Sequence, residues 1–292
     1  MPERPHPSHV DVPDREEGSV KLVTPGMRNL LYVAAVLVLL AGVQLFVFTE
    51  RTDRFFAWTI EVPLTAAFLG AGYLASVLFQ LSAARQRVWA HARLAVPTVL
   101  VFTVLTLITT LVHIDLFHIG SEFETVTQFI TWVWIAVYAI VPVLMMALLF
   151  VQARASGADP PRTNPLPRWL RTTLALQAVV LLGMGTLLLV APADAASLWP
   201  WELTELTSRA TGAWVFSIGI AAVQSFLEND LRRVRLASFS YIGLGVLQAV
   251  ALVRYPDVVR WGDAATIAYL IVLATILLVG VEAAVLLRRS GK

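Results

Sequence analysis

Residues 64–71 read LTAAFLGA, and a close variant of this string, LTSRATGA, occupies residues 206–213. The two strings are separated by about 142 positions, and Trp58 returns as Trp201 at nearly the same distance. Self-similarity at one fixed spacing is the sequence signature of internal duplication. We therefore expect the chain to contain two tandem copies of one unit.

The composition places both copies in a membrane. Hydrophobic residues make up 58% of the chain and charged residues only 14%, and the mean hydropathy is +0.73. Soluble domains carry roughly 25% charged residues. Eight apolar segments approach the roughly 17–25 residues that a helix needs to cross a bilayer. They lie at residues 29–49, 63–82, 94–113, 129–151, 169–191, 208–227, 236–253 and 264–287. These runs lack the alternation of a membrane barrel, so the sequence predicts an all-α integral membrane protein with eight transmembrane helices.

The duplication sorts the eight helices into two groups. We predict one four-helix repeat at residues 28–154 and a second at residues 168–289, joined by a Pro-rich cytoplasmic linker at residues 155–167. Residues 1–27 are rich in proline and mixed charge, which predicts a disordered cytoplasmic tail. Because each repeat has an even number of helices, both should insert in the same orientation. A pseudo-twofold axis along the membrane normal would then relate them.

The basic residues predict the orientation. Seventeen of the 22 Lys and Arg residues lie in the two tails, the linker and the loops on the same side, and five lie on the opposite side. Basic residues are retained in the cytoplasm during insertion, so both termini should be cytoplasmic in a multi-pass protein of the cell (inner or plasma) membrane. The arginines serve this topology, so the predicted partner is the lipid bilayer and not nucleic acid. The absence of cysteine excludes disulfides and thiolate chemistry.

One polar loop suggests metal binding. The string HIDLFHIGSEFE at residues 113–124 follows the third apolar segment. On a helix, Asp115, His118 and Glu122 would share one side, and such a set suits a divalent metal such as zinc, manganese or non-haem iron. His113 would point elsewhere and is the weakest of the four candidate ligands. The alternative is an ordinary polar loop at the level of the lipid headgroups.

Polar groups inside the spans are the candidates for a pathway. Glu282 is the only carboxylate well inside a predicted span, and an acid at such a position suggests proton or ion coupling. Gln248 and Tyr138 are further polar groups that would line a path between the repeats. Hydrogen bonding between helices is the alternative role for all three.

Tryptophans flank the spans on the predicted external side. Trp58, Trp199 and Trp201 would form a paired aromatic rim around a ligand, or would anchor the helices at the headgroups. The string WPWELTELTSRATGAW at residues 199–214 resembles a motif of uncharacterised bacterial multi-span membrane proteins. That resemblance implies a bacterial integral membrane protein and carries no activity.

Three functions remain open at this stage. The preferred one is transport or binding of a small solute or lipid between the two repeats, because it gives the duplication a use. The second is a structural or accessory protein that binds partner helices or another copy of itself. The third is a metal-dependent protein that uses the loop at residues 113–124. An enzyme is disfavoured because phosphate-binding, serine-hydrolase and zinc-protease motifs are missing.

Overall fold

A computed structural model describes residues 20–290 of the chain. Within that range the protein is all-helical and contains eight helices that are long and apolar enough to cross a membrane. They are α1 (Pro25–Val47), α2 (Pro63–Ala84), α3 (Ala95–Val112), α4 (Thr125–Arg154), α5 (Arg168–Val190), α6 (Glu205–Glu228), α7 (Leu231–Arg254) and α8 (Ala264–Ser290). The eight predicted spans are thus confirmed as helices. We refer to α1–α4 as the first half and to α5–α8 as the second half.

Two local interactions define the first residues of α2 and α6. Pro63 is the first residue of α2, where its missing N–H costs nothing. Thr204 caps α6, since its side chain accepts a hydrogen bond from the Thr207 N–H and the Thr207 hydroxyl bonds back to the Thr204 N–H. Helix α7 begins five residues earlier than the span predicted at 236–253 because the Asp230 carboxylate caps its first turn.

Four helices form the centre of the bundle and four surround them. In the most apolar part of α2, 78% of the residues are buried, whereas in α8 the share is 22%. Helices α3, α6 and α7 also lie inside, and α1, α4, α5 and α8 lie outside. The outer helices expose continuous aliphatic faces, with Val36, Ile140, Val179 and Ile271 each more than half exposed. Faces of this kind suit lipid contact and give the molecule the character of a multi-pass membrane protein.

Neighbouring helices within each half approach very closely. A Cβ atom added to Gly70 on α2 would lie 2.6 Å from the backbone nitrogen of Phe46 on α1. A Cβ atom on Gly185 of α5 would lie 2.5 Å from the backbone nitrogen of Phe216 on α6. Glycine is required where two helix backbones touch in this way. The α1–α2 and α5–α6 pairs therefore form by the same packing device.

The inner helices also pair across the two halves. Helix α2 packs along α7, and α3 packs along α6. The Gln248 side-chain amide on α7 donates to the Phe68 carbonyl oxygen on α2 at 3.0 Å. The Ser240 hydroxyl donates to the Ala75 carbonyl oxygen, also at 3.0 Å. The halves are consequently interleaved, and neither has a complete core of its own.

The segment before α1 is held against the bundle. The Gln152 side chain accepts a hydrogen bond from the Thr24 N–H at 2.8 Å and donates to the Leu22 carbonyl oxygen at 2.8 Å. Residues 20–27, the end of the predicted disordered tail, are therefore structured, and α1 already begins within them. The rest of that predicted tail, residues 1–19, lies outside the described residues.

An ion-pair cluster joins the halves at the face of the bundle where α1 begins, which we call the terminal face. Glu228 at the end of α6 accepts two hydrogen bonds from Arg93, which precedes α3. It also accepts one from Arg233 on α7, and Asp159 of the linker pairs with Arg93. We call these four residues the Glu228 cluster. Hydrogen bonding to two carboxylates outweighs burial and raises the pKa of Arg93, which stays charged.

The linker predicted at residues 155–167 is tied to the same face. The Asp230 carboxylate accepts hydrogen bonds from the Thr163 and Asn164 N–H groups at 2.9 and 3.0 Å. The Leu231 N–H donates to the Asn164 carbonyl oxygen at 2.7 Å. Burial raises the pKa of Asp230, but the backbone N–H groups outweigh it and the net shift is downward. The linker thus fastens the turn between α6 and α7.

Candidate functional site

A cavity of about 260 Å³ lies among helices of both halves, and we call it the larger cavity because it exceeds a second cavity between the helices, of about 110 Å³. Both halves contribute to its wall, through α1, α2, α3, α4, α6 and α7. Aromatic side chains form much of its surface, namely Tyr73, Phe79, Phe102, Phe129, Trp134, Tyr138, Trp214 and Tyr241. Among the described residues that line it, none is Asp, Glu, Lys, Arg or His. The larger cavity is therefore an apolar, aromatic and uncharged space between the halves.

The aromatic rings of the wall pack against one another. The ring centroids of Phe102 and Trp214 are 4.1 Å apart, and those of Trp134 and Tyr138 are 4.5 Å apart. Tyr73 meets Trp214 edge to face at 4.9 Å. Tilted and edge-to-face pairs are the favoured arrangements of aromatic rings. Tyr73, Phe102, Trp134, Tyr138 and Trp214 thus form one connected set of rings that spans three helices of the first half and one of the second.

A pair of tyrosine hydroxyls provides polarity in the wall. The Tyr73 and Tyr138 oxygens are 2.6 Å apart, and both residues are buried. One hydroxyl donates its proton to the other, so the accepting hydroxyl keeps a proton of its own. Neither hydroxyl has a further hydrogen-bond partner in the part of the chain that the structure describes. The pair therefore presents one unused O–H donor to the larger cavity.

Two further polar groups of the wall lack partners. Within residues 20–290 the Tyr241 hydroxyl and the Gln80 side-chain oxygen are buried and make no hydrogen bond. A buried polar atom without a partner costs about 1–3 kcal/mol. A molecule in the larger cavity that carried complementary groups would remove this cost.

The larger cavity reaches the surface between α1 and α4. Leu40 on α1 and Phe129 and Val133 on α4 line it, yet these side chains are 57%, 69% and 39% exposed. Helices α1 and α4 are in contact near the terminal face, where a Cβ atom on Gly26 would lie 2.7 Å from a methyl carbon of Leu148. The opening therefore lies in the half of the bundle away from that face. Its apolar edge suits access from lipid rather than from water.

A smaller cavity of about 110 Å³ lies on the other side of Trp214. Helices α5–α8 form most of its wall, and four residues line both cavities, namely Gly72, Trp214, Ile218 and Leu244. The Tyr269 hydroxyl donates to the Gln248 side-chain oxygen at 3.2 Å. The Trp199 indole N–H is buried and has no partner within the described range. Trp214 is thus the largest side chain in the partition between two aromatic cavities, one mainly in each half.

The structure distributes the predicted pathway residues over separate places. Tyr138 lines the larger cavity and Gln248 the smaller one. Glu282 is half-buried in the last third of α8 and lines neither of these cavities. The structure therefore places Tyr138 and Gln248 in the walls of the two cavities and leaves Glu282 apart from them.

The predicted metal loop does not form the helix that its geometry required. Only Ile114–Leu116 make a short 3-10 turn between α3 and α4. His118 is buried and donates from Nδ1 to the Phe56 carbonyl oxygen at 3.0 Å, so its Nε2 accepts from the Thr59 hydroxyl at 3.0 Å. Burial lowers the pKa of His118, although the Phe56 carbonyl opposes this in part. His118 is therefore neutral, and its two hydrogen bonds hold the loop at residues 56–59 in place.

The other three candidate ligands are not gathered around His118. His113 Nε2 accepts a hydrogen bond from the Arg209 guanidinium at 2.7 Å, and burial together with that charge lowers the pKa of His113. Asp115 and Glu122 are exposed. Within residues 20–290 there is no group of three or more His, Cys, Asp or Glu side chains placed to hold a metal ion. The shared helical side expected for Asp115, His118 and Glu122 is not formed because the chain turns away after Leu116.

The predicted aromatic rim is folded inward. Trp58, Trp199 and Trp201 are 3%, 4% and 0% exposed, which is too buried for headgroup anchors or for an open rim. The Trp201 indole N–H donates to the Thr65 hydroxyl at 2.9 Å across the two halves, and Trp58 packs on Phe117. The loops that carry these residues turn into the bundle, and the three tryptophans pack at the end opposite the terminal face.

Among the aromatic residues that line the larger cavity, only Tyr138 was a candidate from the sequence. Tyr73 carried a usable signal, because it is the only large polar side chain within the Gly- and Ala-rich stretch LGAGYLAS at residues 69–76. Trp214 is the last residue of the string at residues 199–214, and nothing in that string gives it a separate role. Their meeting depends on α6 lying across α2 and α3, which sequence spacing does not reveal.

Comparisons of the chain with protein-family models, with curated proteins and with solved structures find no match. The likeness of residues 199–214 to bacterial membrane proteins therefore stays a prediction.

Proposed function

We propose that this protein binds a small lipid-soluble molecule in the larger cavity, which the molecule enters sideways from the membrane between α1 and α4. One observation carries the proposal: an uncharged aromatic cavity between the halves opens on an apolar outer surface. An engineered cavity of about 150 Å³ holds benzene, and pockets for small molecules start near 300 Å³. The volume of about 260 Å³ thus suits one substituted ring or a segment of a lipid chain.

The proposal includes the arrangement of the two halves. They are two tandem four-helix repeats of the same orientation, related by a pseudo-twofold axis along the membrane normal. Matching glycine contacts support this arrangement: a Cβ atom on Gly42 would lie 3.0 Å from the backbone nitrogen of Leu74, and one on Gly185, the equivalent position in the second half, would lie 2.5 Å from that of Phe216. Two aromatic cavities, one mainly in each half, support it as well. The excess of basic residues on the terminal face supports cytoplasmic termini in a bacterial inner membrane.

Transfer of the bound molecule is a second candidate function, favoured by one specific contact. Trp214 forms part of the wall of both cavities, and a Cβ atom on Gly72 would lie only 3.0 Å from its ring. Gly72, Ile218 and Leu244 complete the partition between the two spaces, and movement of Trp214 together with the Ile218 and Leu244 side chains would join them. A molecule held beside Tyr138 would then reach the smaller cavity without crossing water.

Ligand binding in the larger cavity is tested with a substitution whose large side chain fills the cavity. Val137→Trp places a bulky ring in the cavity wall beside Tyr138, and Val143→Trp makes the same change on the lipid face of α4, where Val143 is 62% exposed. The probe is decylbenzene, and the readout is the thermal unfolding midpoint in detergent micelles, followed by circular dichroism. A probe that binds only the folded state raises the midpoint, by roughly 5 °C at 100 times its Kd.

We expect decylbenzene to raise the midpoint of the unaltered protein and of Val143→Trp, and to leave that of Val137→Trp unchanged. Equal shifts in all three proteins would show that the probe acts from outside the bundle. No shift in any of them, up to the solubility of the probe, would equally contradict the proposal.

A further inference from the structure

We infer that the molecule in the larger cavity is neutral and carries a hydrogen-bond acceptor, such as a carbonyl oxygen, on a flat ring. This inference rests on the proposed function and adds the chemical class of the ligand. It is drawn from the charge of the wall, from its unused hydrogen-bond donors and from its aromatic rings.

Neutrality follows from the wall. A charged group taken out of water is strongly disfavoured unless a counter-charge and hydrogen bonds meet it. No Asp, Glu, Lys, Arg or His stands among the described residues that line the larger cavity. The charges of the Glu228 cluster satisfy one another at the terminal face and are not part of this wall. A carboxylate, phosphate or ammonium group would therefore find no partner inside.

The need for an acceptor follows from a count of protons. Several hydroxyls of the wall already use theirs on backbone carbonyl oxygens, as Ser217 does with Ala213 at 2.7 Å and Ser240 with Ala75 at 3.0 Å. Within the described residues, the hydroxyls of Tyr73, Tyr138 and Tyr241 donate no hydrogen bond to a backbone carbonyl oxygen. The Tyr73–Tyr138 pair keeps one spare proton, and in the described part of the chain the Tyr241 hydroxyl has no partner. A ligand that supplies acceptor oxygens satisfies these donors.

The rings of the wall favour a flat ligand. Phe102 and Trp214 lie 4.1 Å apart at an angle of 38°, and the Trp134 indole stands between the tyrosine pair and Phe56. The Trp134 N–H already donates to the Thr110 hydroxyl at 3.2 Å, so this residue offers only its ring. Aromatic surfaces of this kind gain most from another ring packed against them.

A matched series of probes tests the class of ligand. Decylbenzene, 4-decylacetophenone and 4-decylbenzoate share one ring and one chain and differ in having no acceptor, a neutral carbonyl or an anion. The Kd of each is taken from the concentration dependence of the thermal midpoint at pH 7.5. We expect the ketone to bind about tenfold tighter than the hydrocarbon, the gain that one satisfied donor gives, and the benzoate to bind most weakly.

Tyrosine variants identify the donors. Tyr73→Phe alone should keep the ketone preference, because Tyr138 then retains its own proton. The triple variant Tyr73→Phe, Tyr138→Phe, Tyr241→Phe should lose the preference while still binding decylbenzene. Tyr269→Phe is the matched control, since it removes the same group from the smaller cavity only. Each variant is compared with its own midpoint without probe, so a change in stability does not affect the readout.

The possible results separate the two proposals. If decylbenzene and the ketone bind equally to the unaltered protein but not to Val137→Trp, the cavity binds ligands and the inferred class is wrong. If the benzoate binds tightest, the ligand is not neutral. If no probe distinguishes the unaltered protein from Val137→Trp, the proposed function itself fails.

Discussion

Replacing Glu228 with glutamine should loosen the contact between the halves at the terminal face. The carboxylate accepts two hydrogen bonds from Arg93, at 2.5 and 2.9 Å, and one from Arg233 at 2.9 Å. The side chains of Glu228 and Arg233 are only 12% and 4% exposed. Removing the negative charge leaves two guanidinium groups with Asp159 as the remaining carboxylate, 3.9 Å from Arg233.

The expected cost follows from these contacts. A hydrogen bond to a charged group contributes about 1.5–3 kcal/mol, and loss of one partner of a buried ion pair costs about 3–5 kcal/mol. The glutamine oxygen still accepts one hydrogen bond, and Asp159 still offsets part of the positive charge. We therefore expect Glu228→Gln to lower the free energy of unfolding by about 2–4 kcal/mol.

The control is Glu205→Gln on the same helix. Glu205 pairs with Arg209 at 3.2 Å, but its side chain is 61% exposed, so the expected loss is about 0.3–0.5 kcal/mol. Both variants are measured by reversible unfolding in mixed micelles with a denaturing detergent. A second Arg93→Gln substitution in the Glu228→Gln background should cost much less than it does alone. If Glu228→Gln and Glu205→Gln differ by under about 0.5 kcal/mol, the Glu228 cluster does not hold the halves together.

Two further predictions concern packing and pH. Gly70→Ala should destabilise the protein by about 1–3 kcal/mol, because its Cβ atom would lie 2.6 Å from the Phe46 backbone nitrogen. Gly183→Ala is the control and should be neutral or stabilising, because no atom lies within 4 Å of its Cβ position. Equal thermal unfolding midpoints for the two variants would contradict the close approach of α1 and α2. Burial lowers the pKa of His118 below its ordinary 6.5, so the unfolded chain takes up the proton first. Stability is then complete above about pH 6.5 and falls as the pH drops below it, and His118→Gln should reduce this slope in unfolding titrations between pH 7.5 and 5.5.

The sequence predicted the helices well because hydropathy and span length are local properties. The apolar runs could be read from neighbouring residues alone. What the sequence could not show was which face of each helix meets which partner. Trp201 illustrates the difficulty, since an indole beside a span suits the headgroup region as well as it suits the buried contact with Thr65 that the structure shows.

The candidate site was harder to predict because its residues are distant in the chain. Tyr73 and Tyr138 are 65 positions apart, and Trp214 comes from the other half. The loop at residues 113–124 drew attention for the opposite reason, because its polar residues are close in sequence. Proximity along the chain did not become a shared site there, since His118 turned inward to bond Phe56.

The pairing of α2 with α7 has a consequence for synthesis. The ribosome completes α2 roughly 150 residues before it begins α7, which at about 5–20 residues per second is a wait of roughly 10–30 s. During that time α2 has α1 beside it, but the side that later meets α7 is uncovered, including the Phe68 and Ala75 carbonyl oxygens. The nascent first half therefore sits in the bilayer as an unfinished intermediate. Its final packing has to wait for the arrival of the second half.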